Sequence, residues 1–139
     1  MSCWQASFRK RKTKALLAEK LEQYVRVPVG KKELVFYWPT SRSLNDPMKF
    51  HEEEPETLNW IDTHVEEGDI FWDVGANIGM YAIYANKTKG TKAYAFEPSV
   101  QTFAVLDKNI QLNACPHVAA YNVALSNKTF ADFLYMENT

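Results

Sequence analysis

The chain has 139 residues, enough for one domain with a modest core but short for a complete open α/β enzyme. Its 46% hydrophobic, 14% aromatic and 24% charged residues exclude collagen-like and disordered classes. The net charge of -1 hides an asymmetry, because the first 32 residues carry nine Lys or Arg against only Glu19 and Glu22.

The run FRKRKTK, residues 8–14, fits a nucleic-acid or anionic-membrane contact but reads more simply as a solvated terminus, and no nucleic-acid partner is expected. No stretch reaches the roughly 18 apolar residues of a spanning helix, and no signal-peptide apolar region follows the basic start. The expected location is cytoplasmic. Cys3 and Cys115 lack metal-ligand spacing and read as reduced thiols, so no metal site is expected. The sequons at Asn86 and Asn127 read as coincidence in such a chain.

Residues 10–24 place Ala15, Leu16, Ala18 and Leu21 at helical spacing amid Lys, Glu and Gln, which predicts an amphipathic helix. Residues 24–38 then offer two β-rich runs around Gly30, Lys31 and Lys32, a hairpin in which Pro28 fits only an edge or a bulge. Residues 39–51 mix breakers and polar residues and read as a loop. A unit of residues 1–51 is therefore set apart from one of 52–139.

The second unit opens with acids, Pro55 near a first helical position, and Leu58, Ile61 and Val65 on one face, with Gly68 as the stop. The glutamates at 52–54 read as acids favoured by a helix N-terminus rather than as metal ligands. Strand 70–74 leads into the turn GANIG and a helix over 79–87. A second strand covers 91–96, a second crossover helix 100–113, a third strand 117–125, and a short fourth strand 130–136. Strand, helix, strand, helix, strand at these spacings predicts an α/β fold with a parallel sheet and right-handed crossovers.

In such sheets ligands sit beyond the carboxyl ends of the strands. The turn at 75–79 and Glu97, 18 residues beyond Gly79, both fall there. A carboxylate at that point can accept hydrogen bonds from the two hydroxyls of a ribose. The glycine spacing differs from the G-x-G-x-x-G of dinucleotide binders, and Asp73 stands two residues before Gly75. A negative charge is unwelcome beside a pyrophosphate and useful beside an amino-acid-like cation. The pattern favours S-adenosylmethionine over NAD.

The stretches DVGANIGMYAIYA (73–85), YAFEPSVQTFAVLDKNIQLN (94–113) and NVALS (122–126) resemble the FkbM-type S-adenosylmethionine-dependent methyltransferases. Looser similarity runs back to residue 52. The resemblance implies a Rossmann-like class I methyltransferase fold and methyl transfer to an oxygen of a small-molecule, sugar or lipid acceptor. It implies that Asp73, Gly75, Ala76, Asn77 and Gly79 cradle the amino-acid end of the cofactor. Glu97 would hold the ribose, while Pro98 and Ser99 shape the adenine side. Related enzymes often carry an acid before the alanine after the third strand; Val123 stands there, which leaves a backbone contact at Ala124.

The family continues to a fourth strand with a K-I-D-V-E-G-like segment that this sequence lacks. The expectation is a truncated, cofactor-binding half whose first strand has an open edge available for self-association. A non-catalytic module pairing along that edge is the alternative. His51, His64 and His117 read as surface or packing residues, Tyr81 and Tyr84 as core or pocket wall, and no catalytic base is assigned.

Overall fold

The computed structural model describes residues 24–39 and 47–128. The predicted strand over 130–136 and all of the predicted helix over 10–24 except Tyr24, which opens a strand, lie outside them. The hairpin is present: β1 (Tyr24–Val29) pairs antiparallel with β2 (Lys32–Tyr37), Pro28 lying opposite Glu33. Alternation buries Val27, Leu34 and Phe36 on one side. The stretch read as a loop contains a 3-10 turn at Pro47–Lys49, which seats Phe50 against Phe36 and Tyr84.

Helix α1 (Pro55–His64) has Pro in its first turn, where a missing N–H costs nothing, and buries Leu58 and Ile61. It stops earlier than Gly68. Val65 turns extended, at φ -99 and ψ 128, and is buried. Gly68 instead serves the following turn, where Asp69 Oδ2 accepts the Glu66 N–H at 2.9 Å.

Three parallel strands follow in spatial order β3–β4–β5: β3 (Ile70–Val74), β4 (Lys92–Phe96) and β5 (Val118–Tyr121). Crossovers α2 (Met80–Lys89) and α3 (Val100–Leu112) connect them. The third strand is shorter than predicted because Asn122 leaves the ladder, its Nδ2 donating to the carbonyls of Glu97 and Pro98 at 2.8 and 3.0 Å.

The helix-covered face carries Phe71 and Asp73, the fully buried Ala93 and Ala95, and Val118. Methyl-sized side chains on β4 let α2, itself presenting Ala82 and Ala85, sit close to the sheet. The opposite face is an aromatic ladder. Trp72 meets Tyr94 and Phe96, and Phe96 stacks on Tyr121 with centroids 5.3 Å apart. Ile70, Trp72 and Val74 are about 60% exposed there, and β3 is an edge strand of the described sheet. No helix among the described residues is long and apolar enough to cross a membrane.

Candidate functional site

Because β3 and β4 run parallel with Val74 opposite Phe96, both strands deliver their next residues to the same edge of the sheet. The turn 75–79 starts there, anchored by the Gly75 and Ala76 N–H groups donating to Phe96 O at 2.9 and 3.0 Å. Three of its residues lie in the left-handed region, Gly75, Asn77 and Gly79. Asn is among the few non-glycine residues that tolerate it.

Gly79 is required twice over: its φ is +87, and a Cβ would collide with Leu106 Cδ1. At Gly75 a Cβ would meet nothing within 4 Å, so the main chain is open on that side.

Glu97, buried at the end of β4, binds the turn. Its Oε2 accepts the Asn77 N–H at 3.0 Å and its Oε1 accepts the Ser99 N–H at 2.8 Å. Each carboxylate oxygen retains a further lone pair, so these bonds leave acceptor capacity for a ligand. Ser99 is the N-cap of α3, its Oγ accepting the Thr102 N–H, and Pro98 lies between these two anchored residues.

Asp73 is also buried, and its Oδ2 accepts the Ala82 N–H at 3.0 Å. The N-cap of α2 is Gly79, which has no side chain, so the carboxylate of the preceding strand meets the helix's first turn instead. Burial pushes the Asp73 carboxyl up from 3.8 to about 6, against the Ala82 hydrogen bond, with the charges of Glu54 and Glu97 adding to the rise.

Eight of the nine sequence-predicted positions thus gather at one sheet edge. Ala124 lies in the exposed stretch that follows the carboxyl end of β5, with no hydrogen bond to the turn. The link from that stretch to the turn's neighbours is Asn122.

Sequence did not place Glu54 at the site, and it left Tyr81 between core and pocket wall. Glu54, read from sequence as a helix-end acid, is the N-cap of α1 but makes no side-chain cap bond. Its carboxylate accepts from Thr57 Oγ1 at 3.1 Å and lies within electrostatic reach of Tyr81 and Asp73. Tyr81 is held well above the usual phenol range, first by burial and then by Glu54. The only sequence signal was the Glu-Pro step at a helix start, which does not say what that start faces.

The imidazoles are engaged elsewhere: His51 Nε2 lies 3.0 Å from Pro28 O, and His64 Nδ1 lies 3.1 Å from Trp60 O. His117 lines a cavity of about 510 Å³ with Lys32 and Lys87, at the opposite end of the strands from the turn. The turn's own surroundings are acidic, and its main chain faces open space at Gly75. Carboxylates at 54, 73 and 97 around backbone N–H groups suit a ligand carrying both a cation and hydroxyls better than one carrying phosphates.

No family model matches the chain. A hexuronic acid methyltransferase of Haloferax volcanii, AglP, is 40% identical over 58 residues, 40% of this chain and 23% of that protein. The 31-O-demethyl-FK506 methyltransferase FkbM of Streptomyces tacrolimicus is 46% identical over 43 residues, 30% of this chain and 16% of that one. The matching stretch is homologous to FkbM-type methyltransferases. The chain spans less than a quarter of the length of either relative. Among solved structures, P. horikoshii TYW2 in complex with MeSAdo superposes with a TM-score of 0.57 at 19% identity, over 74% of this chain and 37% of that one. The α/β fold of the FkbM-related region is therefore that of class I methyltransferases.

Proposed function

We propose that this chain is the cofactor-binding part of an S-adenosylmethionine-dependent methyltransferase. The observation that carries the reading is the convergence of Asp73, the open turn at Gly75 and Glu97 on one sheet edge, with the charge sign a sulfonium ligand needs. S-adenosylmethionine fits this edge by the chemistry of its donors and acceptors. When bound, it supplies a methyl group activated on a cationic sulfur. Asp73 would attract the amino-acid end, the main chain at Gly75, Ala76, Asn77 and Gly79 would line it, and Glu97 would accept from the ribose hydroxyls. Pro98, Ser99 and the backbone of Ala124 would border the adenine.

The acceptor is an oxygen nucleophile on a sugar, lipid or other small molecule, a reading supported by the two relatives named for a hexuronic acid and for 31-O-demethyl-FK506. None of the three histidines is given a catalytic role.

Calorimetric titration of the chain with S-adenosylhomocysteine tests the reading. A Glu97 substitution would also release the Asn77 and Ser99 N–H groups, so the control changes the ligand. The 2′-deoxy analogue is expected to bind more weakly by about 1–3 kcal/mol, the scale for an unmatched buried acceptor. Absence of saturable binding, or equal binding of the two, would overturn it.

The uncovered aromatic face supports a second reading, a non-catalytic module that associates with itself or a partner along β3. Methyl transfer to any oxygen acceptor by the purified chain would exclude it. Concentration-independent monomeric sedimentation would exclude the self-association.

A further inference from the structure

Asparagine is a poor helix-interior residue because its amide competes for backbone partners, yet α3 carries Asn109 fully buried and closes on a buried Asn113. Both amides are committed to other segments. Asn113 Oδ1 accepts the Val35 N–H at 2.9 Å, and its Nδ2 donates to Val35 O at 2.7 Å. Asn109 Oδ1 accepts the Tyr37 N–H at 2.7 Å, while its Nδ2 donates to Ile78 O at 2.9 Å. The free edge of β2 is thus paired to a ladder of side-chain amides, and one rung reaches into the turn.

That contact falls on a sensitive bond. The peptide joining Ile78 to Gly79 is held at its carbonyl by Asn109 and at its N–H by Ala76 O, 2.8 Å away. The peptide joining Ala76 to Asn77 is held at its N–H by Glu97. Between these anchors lies the Asn77–Ile78 peptide, with left-handed Asn77 at φ +49 before it and, one residue past Ile78, left-handed Gly79 at φ +87. Its orientation is set by the two anchors, one acidic and one an amide.

We propose that Asn109 is a positioning residue for the ligand-binding turn, and that through it the N-terminal hairpin braces the cofactor site. The proposal rests on the reading that the turn holds S-adenosylmethionine. It gives the hairpin, which lies outside the stretch resembling the methyltransferases, a role in that site. Separating the hairpin from α3 removes the Tyr37 N–H from the Asn109 carbonyl oxygen, so the amide gains alternative orientations and Ile78 O loses its fixed donor.

The test compares Asn109→Asp with Asn113→Asp. Each keeps the acceptor for a β2 N–H and replaces an amide donor with a carboxylate oxygen, but only the first faces the turn. The readouts are urea stability, the ¹⁵N amide resonances of Asn77 and Gly79 without ligand, and the dissociation constant for S-adenosylhomocysteine. Asn109→Asp is expected to move both resonances and weaken binding tenfold or more. Asn113→Asp, at comparable loss of stability, is expected to keep the resonances and bind within about twofold of the unaltered chain. A folded Asn109→Asp with unchanged turn resonances and affinity overturns the proposal. So does an equal loss in Asn113→Asp, which would mark both residues as simple cohesion.

If the unaltered chain does not bind S-adenosylhomocysteine, the cofactor reading fails, while the ligand-free resonances still decide the positioning role. Should Asn109→Asp not fold, Asn109→Ser is measured in the same way. In the unaltered chain, hydrogen exchange at the Tyr37 amide should slow at saturating S-adenosylhomocysteine. Binding without that slowing also overturns the proposal.

Discussion

Asp73→Asn separates what the site needs from what the fold needs. The buried carboxyl of Asp73 sits at about 6 against an ordinary 3.8, with burial as the main cause. A folded-state value above the unfolded one means that the folded chain holds this proton more tightly. The associated stability is present below about pH 4 and is lost as pH rises through about 6. At about 1.4 kcal/mol per pH unit, the gap between 3.8 and 6 makes the ionised group cost the folded state about 3 kcal/mol at pH 8.

Asparagine has nearly the same shape and keeps an oxygen to accept the Ala82 N–H, and it carries no charge for Glu54 and Glu97 to repel. Urea unfolding should therefore find Asp73→Asn more stable than the unaltered chain by about 2–3 kcal/mol at pH 8. The advantage should shrink below about 1 kcal/mol at pH 4. A destabilised variant at pH 8, or a difference of the same size at both pH values, would refute this account of the carboxylate. The same substitution should weaken S-adenosylmethionine binding, because it deletes the charge facing the cation.

Affinity of the unaltered chain for S-adenosylmethionine should fall as pH drops below about 6, since protonating Asp73 removes the attraction; titration at pH 5 and pH 7.5 checks the sign. Gly79→Ala should lose about 2–4 kcal/mol of stability by urea unfolding, combining a left-handed backbone with overpacking against Leu106. Tyr84→Phe removes the hydroxyl that donates to Asp62 Oδ2 at 2.9 Å, tying α2 to α1; a loss of about 1 kcal/mol is expected in the same assay. Trp72→Ser should leave stability within about 1 kcal/mol, the side chain being 59% exposed, and on the self-association reading it should shift sedimentation of the chain toward monomer.

The parallel sheet and the edge that carries the turn were legible because they rest on local periodicity and one rigid spacing. Gly75, Asn77 and Gly79 have the backbone angles their types suggest, and the end of β4 brings Glu97 to the turn. What sequence did not disclose is side-chain commitment across elements. The cap of α2 comes from Asp73, nine residues before Ala82, because the N-cap itself is a glycine. The end of α1 is set by the burial of Val65, which outweighs the stronger local signal at Gly68. Asn109 and Asn113 carry helical spacing but no periodicity that would point to a hairpin more than 70 residues away.

The same two carboxylates that would recognise the ligand also build its cradle. Glu97 holds the turn's Asn77 N–H, and Asp73 holds the first turn of α2, so protein hydrogen bonds fix both groups within the fold. Such an arrangement lowers the conformational cost of binding, because the acceptors need not be ordered when a ligand arrives. It also couples recognition to folding, since truncating either acid disturbs the turn as well as the contact. The energetic division between them is read from perturbations that keep the accepting oxygens in place: Asp73→Asn, a changed ribose, a changed pH, or a changed amide at Asn109 on the far side of the same turn.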